Sequence, residues 1–134
     1  MAYVSVPGIE ILKVAGAGDV SQERVILRME ESVDLINYVL LNAYSEGNDV
    51  SDLNDHVFWF PSVVASQGDY VRLYTRLGNY TLTQGKFGES PARFHNFFWG
   101  KNAAVWGGSP MPGLLSSNAV VVLRISNWIH KKIL

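Results

Sequence analysis

Three histidines, His56, His95 and His130, are the residues best suited to proton transfer or metal binding in this chain. None stands in an H-x-H or H-x-x-x-H spacing, so no two of them share a strand or helix face in the way a metal pair requires. Asp55 precedes His56, and an Asp–His pair can orient a general base. On a strand, however, neighbouring residues point to opposite faces, so this pair cannot cooperate there. Each histidine is therefore expected as a half-exposed strand residue. Oxygen ligands gather in 48–55, where Asp49, Asp52 and Asp55 stand with Asn48 and Asn54. Their spacing of three differs from the alternate-residue pattern of a calcium loop, and no acid closes the loop, so solvated turn residues are expected. Cysteine is absent, which removes thiol nucleophiles, zinc-thiolate sites and disulfides. A nucleophile elbow, a phosphate-binding loop and G-x-G-x-x-G are also missing. The residues thus point away from an enzyme, a resident metal or a cofactor.

Binding chemistry has more to draw on. Trp99 and Trp106, with Phe94, Phe97 and Phe98, form an aromatic cluster in sequence. Phe97 and Phe98 cannot both face the same side of one strand, so at least one faces outward. Trp128 lies beside His130, Lys131 and Lys132, and an exposed aromatic flanked by cations suits a protein or nucleic-acid contact. The charge is unevenly distributed. Residues 1–69 hold 11 acids and three bases (Lys13, Arg24, Arg28), whereas 70–134 hold one acid, Glu89, and eight bases. From these, Arg72, Arg76, Arg93, Lys101, Lys131 and Lys132 make up a candidate nucleic-acid surface. The leading expectation is a non-enzymatic module that docks a protein partner through loop tips and an exposed aromatic at Trp99, Trp106 or Trp128. Nucleic-acid binding through the bases is the alternative. A C-terminal strand paired between two copies is a further expectation for homo-oligomers.

The elements that must position these residues are strands. Val25, Leu27 and Met29 alternate with Arg24, Arg28 and Glu30; Val71, Leu73, Thr75 and Leu77 alternate with Tyr70, Arg72, Tyr74 and Arg76. A period of two is what a half-buried antiparallel strand requires. Further strands are expected at 9–14, 38–44, 56–60, 94–99, 118–125 and 128–133. Breakers at 16–19, 46–49, 67–69, 78–79 and 107–110 separate them. Segment 21–41 also approximates helical spacing at Val25, Ile26, Met29, Val33 and Ile36, but the clean alternation favours strand, loop, strand. The loops 48–55, 83–91 and 107–115 are expected to carry function, with 83–91 the most mobile. A chain of 134 residues with 48% apolar content reads as one domain over 1–134. About eight short strands at such intervals imply an all-β, immunoglobulin-like antiparallel β-sandwich. No basic-apolar leader and no run long enough to span a bilayer is present, so no membrane partner is expected and a cytoplasmic location is the default.

The order of several segments resembles the lamin tail domain family. His95-Asn96-Phe97-Phe98-Trp99-Gly100-Lys101 followed by Val105-Trp106-Gly107-Gly108 is similar to that family's FWG…VW stretch. Phe58-Trp59-Phe60-Pro61, then Gln67-Gly68-Asp69-Tyr70-Val71, resembles its F-x-FP…PG-x-x-V pairing. Arg24-Val25-Ile26-Leu27 with Ser32-Val33-Asp34-Leu35, and Ser117 to Leu123, fall where the family has V-x-I-x-N…V-D-L and GD-x-A-x-L. The likeness covers about 22–133. Tyr38 stands where the family usually has Trp, Asn118 replaces Asp, and Trp128 occupies a hairpin position that favours Gly. The resemblance implies an immunoglobulin-like sandwich used as an interaction module.

Overall fold

The computed structural model describes residues 1–46, 49–107 and 117–125. Eleven strands are described: β1 (Ala2–Val4), β2 (Ile9–Ala15), β3 (Arg24–Met29), β4 (Val33–Asp34), β5 (Tyr38–Glu46) and β6 (Asp49–Trp59), then β7 (Val64–Ala65), β8 (Tyr70–Tyr74), β9 (Thr81–Phe87), β10 (Ser90–Phe98) and β11 (Ser117–Arg124). A four-stranded sheet, β1-β11-β5-β6, packs on a five-stranded sheet, β2-β3-β8-β10-β9, and β4 with β7 forms a small ribbon. The chain is an all-β sandwich.

Alternation builds the interior. Val25, Leu27 and Met29 of β3, Val71 and Leu73 of β8 and Phe97 of β10 face Tyr38, Leu40, Val120 and Val122 of the opposite sheet. Phe97 meets Phe58 and Phe60 edge-on at 6.2 and 5.2 Å. Burying side chains of this size stabilises by about 1.5–3 kcal/mol each. A second apolar cluster, Val39, Leu41, Ala43, Ala119 and Val121, lies on the other face of the four-stranded sheet.

Several expectations need correction. The strands number eleven among the described residues, not about eight, because β1, β4 and β7 are too short to show a period and β9 is exposed throughout, with no buried apolar row to mark it. The sheets are mixed, not purely antiparallel: β1 runs parallel to β11, and β8 parallel to β10. The second arises because the chain leaves β8, passes over the place of β10 to form β9 at the sheet edge, and turns back between them. The expected loop at 83–91 is that hairpin, seven residue pairs long. The expected loop at 48–55 is strand from Asp49 onward. β8 ends at Tyr74, so Leu77 is 79% exposed rather than continuing the inward row. Segment 21–41 holds no α-helix, only a 3-10 turn at Leu35–Asn37 with Asp34 as its cap. The expected strand at 128–133 lies outside the described residues.

One buried acid locks the loops over the end of the core. Glu23, fully buried, accepts hydrogen bonds from Gly18 N (2.9 Å), Thr75 Oγ1 (2.6 Å), Val105 N (2.7 Å) and Trp106 N (3.1 Å). Three chain segments far apart in sequence are thereby tied to one side chain, as a buried polar group requires.

Candidate binding face

The outward side chains of the five-stranded sheet form an ordered lattice, fixed by strand register. Arg24 of β3 pairs with Tyr74 of β8, and Tyr74 with Phe98 of β10. In the next row Lys13, Ile26, Arg72 and Asn96 stand side by side; in the third, Glu10, Arg28, Tyr70 and Phe94. Along β8 the cationic Arg72 stands between Tyr70 and Tyr74, and across the sheet Arg28 and Arg24 of β3 flank those two tyrosines. Two ring stacks result. Tyr70 lies against Phe87 and Phe94 with centroids at 4.5 and 5.5 Å, and Tyr74 lies nearly parallel to Phe98 at 5.2 Å. Guanidiniums cover the rings: Arg72 sits 4.0 Å from the Phe94 centroid, and Arg76 4.9 and 5.0 Å from those of Tyr74 and Phe98. Arg24 approaches Tyr74 at 6.0 Å.

Arg72 is steadied further by Asn96 Oδ1 (2.7 Å from Nε) and Thr83 Oγ1 (3.3 Å from Nη2). Among the described residues, none of Arg24, Arg28, Arg72 or Arg76 pairs with a carboxylate; the ion pairs found are both at Asp69. A guanidinium stacked on a ring is held flat and keeps in-plane N–H donors for an oxygen acceptor. Within the three cross-strand rows and at Arg76 just beyond β8, five bases, Lys13, Arg24, Arg28, Arg72 and Arg76, stand with one acid, Glu10, in a chain whose net charge is −1. The positive charge is therefore segregated.

On the inner side of the β9–β10 hairpin, a polar chain runs Tyr80–His95–Asp69–Arg93. Tyr80 Oη lies 2.9 Å from His95 Nδ1, and His95 Nε2 lies 2.8 Å from Asp69 Oδ2. Arg93 forks onto Asp69 through Nε (3.2 Å) and Nη2 (2.8 Å), and Ser66 N donates at 3.0 Å. Burial pushes the Asp69 carboxyl up, but the hydrogen bonds from Arg93, His95 and Ser66 and the Arg93 charge outweigh it, leaving the group at about 2. Asp69 is thus ionised at neutral pH, so His95 donates to it from Nε2 while Nδ1 is held against Tyr80 Oη. Burial raises Tyr80, and Asp69 raises Arg93.

The structure separates the residues expected from sequence to act together. Arg72 and Arg76 do share one face, and the first-half residues Arg24 and Arg28 join them there; the missed signal was their outward position in the β3 alternation. Arg93 faces the opposite side of the sheet and is paired with Asp69, so it does not belong to that surface. Lys101 lies beyond β10, 5.9 Å from the Trp99 ring. Trp106 is fully buried, which corrects its expected role as an exposed anchor: Glu23 draws its backbone inward. Trp99 packs on the core against Phe58, His56 and Trp106. His95 is 2% exposed, not half exposed. Trp128, Lys131, Lys132 and His130 lie outside the described residues. Comparison with known proteins finds no matching family model, curated relative or solved structure.

Proposed function

We propose that this domain is a non-enzymatic binding module that holds single-stranded nucleic acid on the outer face of its five-stranded sheet. The observation that carries the reading is the lattice of Arg24, Arg28, Arg72 and Arg76 interleaved with Tyr70, Tyr74, Phe94 and Phe98, without a carboxylate partner among the described residues. A sheet face combining cations with aromatic rings is a general solution for gripping a flexible polyanion: phosphates take the guanidinium donors, and bases lie against ring edges and exposed faces. Arg72 and Arg76 both lie over the Tyr74 ring, 5.9 and 4.9 Å from its centroid, so their guanidiniums are placed for neighbouring phosphates of one strand. The alternative of a protein-docking surface built on tryptophans has less support, because Trp106 is buried and Trp99 packs on the core. The likeness to lamin tail domains supports a module for interaction rather than catalysis.

The test is fluorescence anisotropy with a labelled single-stranded oligonucleotide at increasing salt. Affinity is expected to fall linearly on a log–log plot, with each of Arg28→Ala and Arg76→Ala reducing the slope by about one. Lys86→Ala, on the other side of the hairpin, is expected to leave binding unchanged. Absence of binding at low salt and micromolar protein would overturn the reading, as would unaltered binding by the Arg72→Ala/Arg76→Ala double variant.

A further inference from the structure

The buried chain ending at Arg93 has no part in the arginine lattice, and its construction is unusual for a sandwich edge. His95 and Asp69 are 2% and 6% exposed, yet both are polar. Besides the stability it adds, a hydrogen-bonded chain of this kind holds the group at its exposed end in one orientation. What it orients is the Arg93 guanidinium. Tyr80 fixes His95, His95 and Ser66 N fix Asp69, and Asp69 fixes Arg93 through two hydrogen bonds. Three donors on Asp69 Oδ2 and one on Oδ1 leave that carboxylate engaged within the protein. Arg93, whose side chain is 44% exposed, retains both N–H groups of Nη1 and one of Nη2.

Beside Arg93 lies a groove of about 300 Å³ between the turn before β8 and the β9–β10 hairpin. Its side-chain polar groups are those of Gln67, Gln84, Arg93 and the already engaged Asp69; Gly68, Gly85 and Ala92 leave its walls low. We infer that this groove is a carboxylate-binding site in which Arg93 provides a preset planar fork and the Gln67 and Gln84 amides donate from the sides. A planar fork matches the two oxygens of a carboxylate. The Asp69–Arg93 pair is neutral in sum; Lys86 on the same side of the hairpin adds a positive charge and Glu89 in the hairpin turn a negative one, so the free Arg93 donors rather than net charge select the ligand. The volume fits a carboxylate on a short body, whether a free small acid or the end of a polypeptide. Asp69, His95 and Tyr80 are positioning residues; Gln67, Gln84 and Arg93 touch the ligand.

The experiment is a titration of the intact isotopically labelled protein, followed by amide NMR, with succinate, with a blocked tripeptide bearing a free C-terminal carboxylate, and with its C-terminal amide. Saturable shifts are expected at Gly68, Gly85 and Ala92 with succinate or the free-carboxylate peptide and none with the amide; which of the two binds tighter identifies the source. Gln84→Ala, which leaves the Tyr80–Asp69 chain intact, is expected to weaken binding several-fold, and Arg93→Gln to abolish it in protein shown by circular dichroism to be folded. His95→Gln is expected to weaken binding with the shifts still centred on the groove. No saturable shift with either acid, equal shifts with the amide, or unchanged binding by folded Arg93→Gln would overturn the site. These outcomes are independent of whether the opposite face binds an oligonucleotide.

Discussion

Asp69 is the residue on which one side of the hairpin depends, and its chemistry makes that dependence measurable. An acid whose folded pKa lies below its unfolded value stabilises the fold at pH above the unfolded value; that contribution disappears as pH falls through the folded one. For Asp69 the window runs from 3.8, the value of the free side chain, down to about 2. The corresponding stabilisation at neutral pH is about 2 kcal/mol. Asp69→Asn removes it and also turns an amide N–H toward donors from Arg93, His95 or Ser66. Urea unfolding of the variant is expected to show a loss of about 2 kcal/mol at neutral pH, with a flatter decline below pH 4 than the parent protein. Equal acid sensitivity of the two proteins would show that Asp69 does not carry the acid limb.

At the scale of elements, the turn after β8 decides how the aromatic stack is built. A Cβ on Gly78 would overlap the Phe98 ring, which lies flat against Tyr74 under Arg76. Gly78→Ala therefore has to displace a ring held on both sides, an overpacking cost of about 1–3 kcal/mol. A lower melting temperature and a reduced near-ultraviolet aromatic signal are expected, together with weaker oligonucleotide binding; a variant with parental spectrum and affinity would show that the stack tolerates the methyl group. The same elements show how far the sequence could be read. The period of two at Tyr70, Arg72 and Tyr74 already puts them on one face, and the adjacency of Phe97 and Phe98 already demands opposite faces: Phe97 is in the core and Phe98 on the lattice. Joining Arg24 and Arg28 to Tyr74 and Tyr70 needed the β3–β8 register, a non-local property that no local pattern encodes. Pairing Phe94 with Tyr70 needed the crossover through β9, whose Thr81–Phe87 sequence shows no apolar alternation because the strand is exposed on both faces. Asp69 and His95 are 26 residues apart and meet only because β8 and β10 are parallel neighbours. His95 read as an ordinary strand histidine because nothing near it in sequence supplies its partners.

At the scale of the whole molecule, the two sheets carry separate tasks. The five-stranded sheet presents the arginine lattice outside and the Arg93 groove at its edge, whereas the four-stranded sheet joins the beginning of the chain to a late segment. β1 runs parallel to β11, pairing Ala2, Tyr3 and Val4 with Ala119, Val120 and Val121. It covers the edge of β11, which carries the longest unbroken apolar run in the sequence, Ala119–Leu123. An uncovered edge of β-branched residues is a template for pairing with another chain. Removal of residues 1–5 takes away that cover and the packing of Ala2 on Val121 and its neighbours. The truncated protein is expected to melt at lower temperature and to scatter light on heating at concentrations where the parent stays clear. Below its transition, its affinity for the oligonucleotide is expected to equal that of the parent, because no lattice residue lies on the four-stranded sheet. An unchanged melting temperature would mean that β1 is not what protects β11. Lost affinity in folded truncated protein would place part of the binding surface on the sheet assigned here to closing the chain.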